Sequence, residues 1–419
     1  MRLTLAIHPI EELRFGEATR LDGTTLAIDQ EELRRLLLAD GGLESVDLEV
    51  VRPGERCRFG AVFDVVEPRA KEPADGADFP GILGPLRLAG RGTTHVLRGA
   101  AVSVIQDGSA FGRVIEMSGA AGEASPYSRL HHLVVVPHPR ASLPRRALMR
   151  ALRVASLKAA VYLAKAALGQ EASTYEVYEC GGPAESATPG VPRLAYIGQI
   201  HSFQMVAEPD EPIFYGSNTI GMAPAALHPN EWLDGAIVSS YFNLGVETYF
   251  YQNHPIINEL YRWQEEGKVL LTGTVATMAA SDNRDRERNS MIAAALAKWN
   301  LAADAVVLTK YGGGAPHADM GLTARYCEEL GIRTVVQVSD MSTDRSAESA
   351  LLFNYPEVDA IVNVGRGDTL QWVAPEVERV IAASAGAAAS LASLERLTAG
   401  SVCGVTGQQG LSRLRSFVY

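Results

Sequence analysis

The stretch Ala305-Val-Val-Leu-Thr-Lys-Tyr-Gly-Gly-Gly-Ala-Pro-His-Ala-Asp-Met-Gly-Leu-Thr-Ala-Arg-Tyr-Cys-Glu-Glu-Leu-Gly-Ile-Arg-Thr-Val-Val-Gln-Val338 decides the fold class. It opens on a β-prone run (305–309) and passes through a loop with three glycines (310–317). A helical pattern follows (318–330), then Gly331 as a stop signal and a second β-prone run (334–338). Strand, helix and strand at this spacing form a βαβ crossover, right-handed by default. Outward from it, β-prone runs at 175–178, 194–200, 235–239, 269–275 and 360–364 alternate with helical patterns at 144–168, 256–266, 286–298 and 347–353. Such alternation predicts a parallel sheet covered by helices. Residues 1–140 read differently. Runs at 3–7, 46–50, 61–65, 94–105 and 132–136 are strand-like, turns fall at 52–55 and 79–81, and one helix is expected at 30–38. The expectation is an α/β chain with a β-rich N-terminal domain (1–140), an α/β domain with a linking helix (141–270) and a Rossmann-like domain (271–419).

At 419 residues the chain is too long for one ordinary domain. Its 47% hydrophobic and 21% charged residues are globular values. A formal net charge of -11 makes nucleic acid an improbable partner, because an acidic surface repels phosphate. The four cysteines, Cys57, Cys180, Cys327 and Cys403, are far apart with no CxxC pair, which argues for buried free thiols in a reducing compartment. The N-terminus turns polar too soon for a signal peptide, and no apolar run reaches the ~18 residues that a membrane span needs. The alanine-rich run 384–393 is short and punctuated. A cytoplasmic location follows by default.

The loop 310–317 leaves the carboxyl end of one strand and enters a helix, the place where open α/β sheets bind ligands. Gly313 and Gly314 allow a substrate close to the backbone, and the helix start favours an anion. The pattern is neither GxGxxG nor Walker A, so a nucleotide is not implied. His317 and Asp319, two apart, are metal-ligand types at a spacing common by chance. His201 and His254 also sit at element ends, where a hydrogen-bonded structural histidine is the plainer alternative. The other histidines, His131-His132 included, read as structural or give no constellation. Arg366, in Gly365-Arg-Gly-Asp368, is either part of a tight turn or a bidentate contact for a substrate carboxylate.

Several stretches resemble the pyruvoyl-precursor subunit of the glycine/sarcosine/betaine reductase component B family. They are Val66-Glu-Pro-Arg69, Phe79-Pro-Gly81, Thr94-His-Val-Leu-Arg-Gly-Ala-Ala-Val102, Glu176-Val-Tyr-Glu179, Asp234-Gly-Ala-Ile-Val-Ser239, Gln252-Asn-His-Pro-Ile-Ile257 and Asp285-Arg-Glu-Arg288, in the family's order. The resemblance implies reductive C–N cleavage, with a second component B subunit supplying a selenocysteine or cysteine. It also implies an internal cut at an Asn-Cys bond that turns the cysteine into a pyruvoyl group. That bond would fall just after Ser239. Here the chain continues Ser240-Tyr-Phe-Asn-Leu-Gly-Val-Glu-Thr248 with no cysteine, so a pyruvoyl group is not expected. Ser239 and Ser240 are chemically able to replace it, but neither follows an asparagine.

The resemblance further implies amide side chains near the positions of His201, His254 and His317. Three imidazoles with Asp319 suggest a Zn or Fe site acting as Lewis acid in place of the Schiff base. The candidate catalytic residues are thus His317, Asp319, Tyr241 and Lys310. Gly313, Gly314 and Arg366 are the substrate contacts, and His201, His254, His317 and Asp319 the metal ligands. The expected function is a subunit of a two-component enzyme cleaving or reducing a small nitrogen-bearing substrate, partnered by the other component B subunit. A non-catalytic scaffold, a metal-dependent hydrolase or lyase without a redox step, and a pyruvoyl enzyme cut at serine are the alternatives.

Overall fold

The computed structural model describes residues 1–107, 113–184, 189–200, 222–239, 246–279, 282–310, 314–338, 356–364, 370–407, 409–410 and 417–418. The chain is α/β as expected. Its main body is a seven-stranded sheet in the order Ala225–Leu227, Leu270–Thr277, Arg193–Gln199, Ala305–Thr309, Arg333–Val338, Ala360–Asn363 and Phe417–Val418. The five inner strands are parallel and the two edge strands antiparallel. Helices cover both faces, which is why the inner strands read as continuous apolar runs. On one face, Ala293 and Ala297 from Asn283–Ala295 and the turn after it, with Met320 and Ala324 from Ala315–Glu329, pack on Ile197, Val306 and Val336. On the other, Ile257 and Leu260 of helix Pro255–Glu265 pack with Trp232 and Tyr251 on Tyr196 and Ala276. No helix among the described residues is long and apolar enough to cross a membrane.

The first 140 residues form small sheets. One has the strand order Thr174–Glu179, Arg2–Pro9, Gly92–Arg98 and Arg69–Lys71. Another has Leu43–Val51, His131–Pro139, Ala100–Ile105 and Val62–Val66. The helix Arg145–Ala164 lays Leu152, Ala155, Ala159 and Leu163 against Val102, Val104, Leu133 and Val135 of the second sheet. Arg379–Ile381 returns from the far end of the chain to pair in parallel with Cys57–Gly60.

Three expectations are corrected. The run 94–105 is two strands in two different sheets, broken at Gly99, whose φ of +98° and 2.7 Å Cβ approach to the Ile10 carbonyl only glycine accommodates. Residues 235–239 are fully buried but form no strand. The Ala236 amide bonds back to Glu231 and the Ser239 amide to the Thr248 hydroxyl, so no ladder is needed. The helix of the crossover unit starts at Ala315, not 318, placing His317 in its first turn and not in the loop. The cause is Pro316, which suits a helix start, preceded by Gly314 at φ +65°. The helix expected at 347–353 lies outside the described residues.

Candidate functional site

The sheet reverses its direction of growth at one place. The chain leaves Arg193–Gln199 toward Leu270–Thr277 on one side, and leaves Ala305–Thr309 toward Arg333–Val338 on the other. These two strands are neighbours, so their carboxyl ends mark the topological switch point, the usual ligand position in such sheets. Lys310 is the first residue beyond Ala305–Thr309 and is completely buried. Burial disfavours its charged form and brings its pKa down to about 8. His317, also completely buried, lies near enough to feel that charge. Burial first, and the Lys310 ammonium second, bring its pKa down to about 4. At neutral pH the imidazole is therefore uncharged beside an amine that gives up its proton readily. Across the switch point, Gln199 Nε2 donates to the Pro316 carbonyl at 2.9 Å, tying the first strand to the start of the helix. The Gln409 side-chain amide donates in turn to the Gln199 carbonyl.

A column of hydrogen bonds runs behind the switch point. His254 caps the helix Pro255–Glu265 by accepting from the Ile257 amide on Nδ1 at 3.5 Å. Its Nε2 must then carry the hydrogen, and it donates to the Tyr196 hydroxyl at 3.2 Å. The Tyr196 hydroxyl is hydrogen-bonded in turn to Thr309 Oγ1 at 2.7 Å, one residue before Lys310. The His254 ring is boxed by Tyr196, Trp232, Phe250 and Tyr251 with centroids 4.8–6.4 Å away. Burial drives its pKa down to about 3. Tyr196 and Thr309 escaped sequence reading because neither differs there from an ordinary strand residue.

The expected metal set is not assembled by its described members. Both nitrogens of His254 are engaged as above, and the Asp319 carboxylate is held by Arg286 at 2.5 Å on the neighbouring helix. Among the described residues no group of three or more His, Cys, Asp or Glu is placed to hold a metal ion. The described members therefore do not form a coordination sphere by themselves. His201, Tyr241, Gly313 and Arg366 lie outside the described residues. Of the catalytic candidates the structure brings together Lys310 and His317, with Gly314 at the helix start beside them. Asp319 instead braces helix to helix.

A second buried polar cluster gathers four of the quoted stretches. Glu67 sits fully buried between Arg69 (2.5 Å) and Arg98 (3.1 Å). Burial alone would raise its pKa, but the two guanidiniums more than offset this and hold it below the usual carboxylate range. Gln252 pairs with both backbone groups of Glu67, at 2.9 and 3.0 Å, and Arg69 also donates to the carbonyls of Leu233 and Gln252. Next to it Asp234 accepts from Lys71 (2.5 Å), Thr94 (2.8 Å) and the Gly90 amide (2.7 Å). Buried Asp64 accepts from the Thr248 amide and hydroxyl at 2.8 and 2.6 Å; burial outweighs these bonds and raises its pKa to about 6. Thus the N-terminal sheets clamp both flanks of residues 240–245, the stretch in which the expected cysteine is missing. The signal for these residues was a charge inside an apolar run, as in Trp232-Leu-Asp-Gly-Ala-Ile-Val238.

All four cysteines are free and buried, as expected. Burial pushes the thiols of Cys57 and Cys327 up to about 12 and that of Cys403 further, while the Cys180 thiol donates to the Leu271 carbonyl at 2.9 Å.

Comparison with known proteins bears on this arrangement. A family model described as glycine/sarcosine/betaine reductase component B subunits matches residues 1–399. The sarcosine reductase complex component B subunit alpha of Peptoclostridium acidaminophilum is 32% identical over 393 residues, 91% of this chain and 89% of that one. The glycine reductase complex component B subunits alpha and beta of Acetoanaerobium sticklandii are 30% identical, over 91% of this chain and 89% of theirs. The betaine reductase complex component B subunit alpha of Peptoclostridium acidaminophilum is 31% identical, over 90% and 86%. No solved structure matches.

Proposed function

This chain belongs to the glycine/sarcosine/betaine reductase component B family, and from that membership we propose that it is one subunit of a hetero-oligomeric reductase acting on a small nitrogen-bearing substrate at the mouth of its parallel sheet. The reaction is cleavage or reduction at a C–N bond. The observation that carries this reading is the continuity between the two buried clusters. The clamp built from the family's stretches holds Asp234 and Gln252, and the same segment ends in His254, whose column reaches Thr309 and Lys310. The described residues on both sides of 240–245 are therefore anchored, on one side by the clamp and on the other by the column.

Two physical points sharpen the proposal. Pyruvoyl chemistry gains no support, because the stretch between Ser239 and Val246 carries no cysteine and the four cysteines present lie in other elements. The reactive thiol of the reaction must come from a partner subunit. A thiol raised to about 12 is almost wholly protonated near neutrality, and only the thiolate is a nucleophile. In this subunit neutral His317 takes or returns a proton, and Lys310 orients the substrate's carboxylate when charged.

The test is purification with the adjacent-gene partner subunit, followed by assay of amine or ammonia release from glycine, sarcosine and betaine with a dithiol reductant. Lys310→Met and His317→Ala each lower kcat by about 100-fold or more. A complex that turns over none of these substrates, nor their close analogues, overturns the proposal. The missing cysteine favours a second reading, a subunit that only positions its partner. Turnover undiminished in both variants would establish it.

A further inference from the structure

The chain uses cations unevenly: it has six lysines against 32 arginines. Three arginines are buried among the described residues. Arg58 is paired with Glu116 at 2.7 Å, Arg69 with Glu67, and buried Arg153 bonds the Ser239 carbonyl. Only two described lysines are buried. Lys71 is fixed by Asp234 at 2.5 Å and the Arg91 carbonyl at 2.9 Å, a structural ion pair. The other is Lys310. Arginine keeps its charge at any physiological pH, whereas a buried lysine becomes a nucleophile by losing a proton. A sequence that favours arginine over its length thus places one buried, deprotonatable amine at the carboxyl end of the strand flanking the switch point, one residue from a hydrogen-bonded threonine and near a buried imidazole.

We propose that Lys310 captures carbonyl substrates covalently, its ε-amine forming an imine with a small 2-oxo acid while His317 carries the proton. The lone pair of the neutral amine attacks the carbonyl carbon and the C=O π pair moves to oxygen. His317 accepts one proton from the nitrogen and returns it to that oxygen. The C–O bond then breaks as C=N forms, and water leaves with both amine hydrogens. No electrons enter or leave, so no redox partner is required. The carboxylate of the 2-oxo acid suits the positive end of the helix Ala315–Glu329, which begins five residues after the amine. With a pKa near 8, roughly a tenth of the amine is uncharged at pH 7, against fewer than about one in a thousand for an ordinary lysine. The polarity is the reverse of that of a protein-bound carbonyl, which captures amines. This inference rests on the switch point being the site, but not on C–N cleavage or on a partner subunit.

The experiment uses the full chain alone. It is incubated with pyruvate or glyoxylate and sodium cyanoborohydride, digested, and mapped by mass spectrometry. One reduced adduct is expected at Lys310, in at least ~10-fold excess over any of the other five lysines. Lys310→Arg abolishes it, and His317→Asn, which leaves the amine in place, slows its formation by about 100-fold. Absence of the adduct from Lys310 in the wild-type chain with both probes, or labelling spread over the exposed lysines, overturns the proposal without depending on any variant folding. If the adduct forms while the complex fails to turn over nitrogenous substrates, the functional reading above falls and this one stands. If turnover is seen without the adduct, the reverse holds.

Discussion

Burial sets the chemistry of single residues here more than pairing does. Lys310, His317 and His254 are all completely buried, and in each case desolvation is the main influence on protonation. The consequences differ with position. His254 is saturated, with one ring nitrogen on the Ile257 amide, the other on Tyr196 and four aromatic rings around it. Its role is to hold the column. His254→Ala should lower stability by about 2–4 kcal/mol through the cavity and the stranded Tyr196 hydroxyl, read as a fall in Tm, without changing the metal content of the purified protein. Lys310 is poised. Competitive labelling by an amine-directed reagent should show its reactivity half-risen near pH 8. A half-rise of Lys310 above pH 10 would show that its charge is held after all. In sequence His254 and His317 looked equivalent, because each follows a strand or precedes a helix. What separates them is which atoms fill the space around the rings, and spacing along the chain does not encode that.

At the scale of elements, the described residues between Leu233 and His254 include one short helix, Thr248–Gln252, and depend on other elements for their polar partners. Glu67, Arg69, Lys71, Thr94 and Asp64 supply them from the N-terminal sheets. Such a clamp is intolerant of losing one charge. Glu67→Gln leaves Arg69 and Arg98 buried without their carboxylate and should destabilise by about 3–5 kcal/mol, measured by urea unfolding. A loss below about 1 kcal/mol would mean that water reaches the site. Sequence periodicity located the longer elements, such as the helix Gln30–Leu38 and the strand Leu270–Thr277, since alternation and helical spacing are local properties, and passed over short ones such as Glu12–Gly16, Thr25–Asp29 and Thr248–Gln252, which hold too few residues to show a period. It failed at 235–239, where a β-prone apolar run is fully buried yet its Ala236 and Ser239 amides bond to Glu231 and Thr248 instead of to a neighbouring strand. The quoted stretches did mark Glu67, Asp234 and Gln252. They did not reveal that these residues meet, because contact across 140–185 positions leaves no periodic trace.

For the whole molecule, the buried histidines predict acid sensitivity. His132, His254 and His317 have folded pKa values of about 4, 3 and 4, below the ~6.5 of an unfolded chain. A depressed pKa contributes stability that is complete above the unfolded value and is lost as pH falls toward the folded one. Each ring can cost up to about 1.4 kcal/mol per pH unit between 6.5 and its folded pKa. Asp64 acts in the opposite sense. Its raised pKa of about 6 means that stability increases as it protonates, over the window from 6 down to about 4. The histidines outnumber it, so the urea midpoint should drop steeply from pH 6.5 to 4.5. A flat profile over that interval would contradict the burial of these rings.

The pairing of Arg379–Ile381 with Cys57–Gly60 also bears on how the protein is made. During synthesis on the ribosome, strand Cys57–Gly60 emerges more than three hundred residues before its parallel neighbour. Until then the nascent chain carries an open β edge of the kind that recruits other strands. Gln409, which braces Gln199 at the switch point, emerges later still. A translation-arrested product ending before residue 379 should therefore aggregate or engage chaperones, and the amine at the sheet mouth would gain its final surroundings only when synthesis is nearly complete.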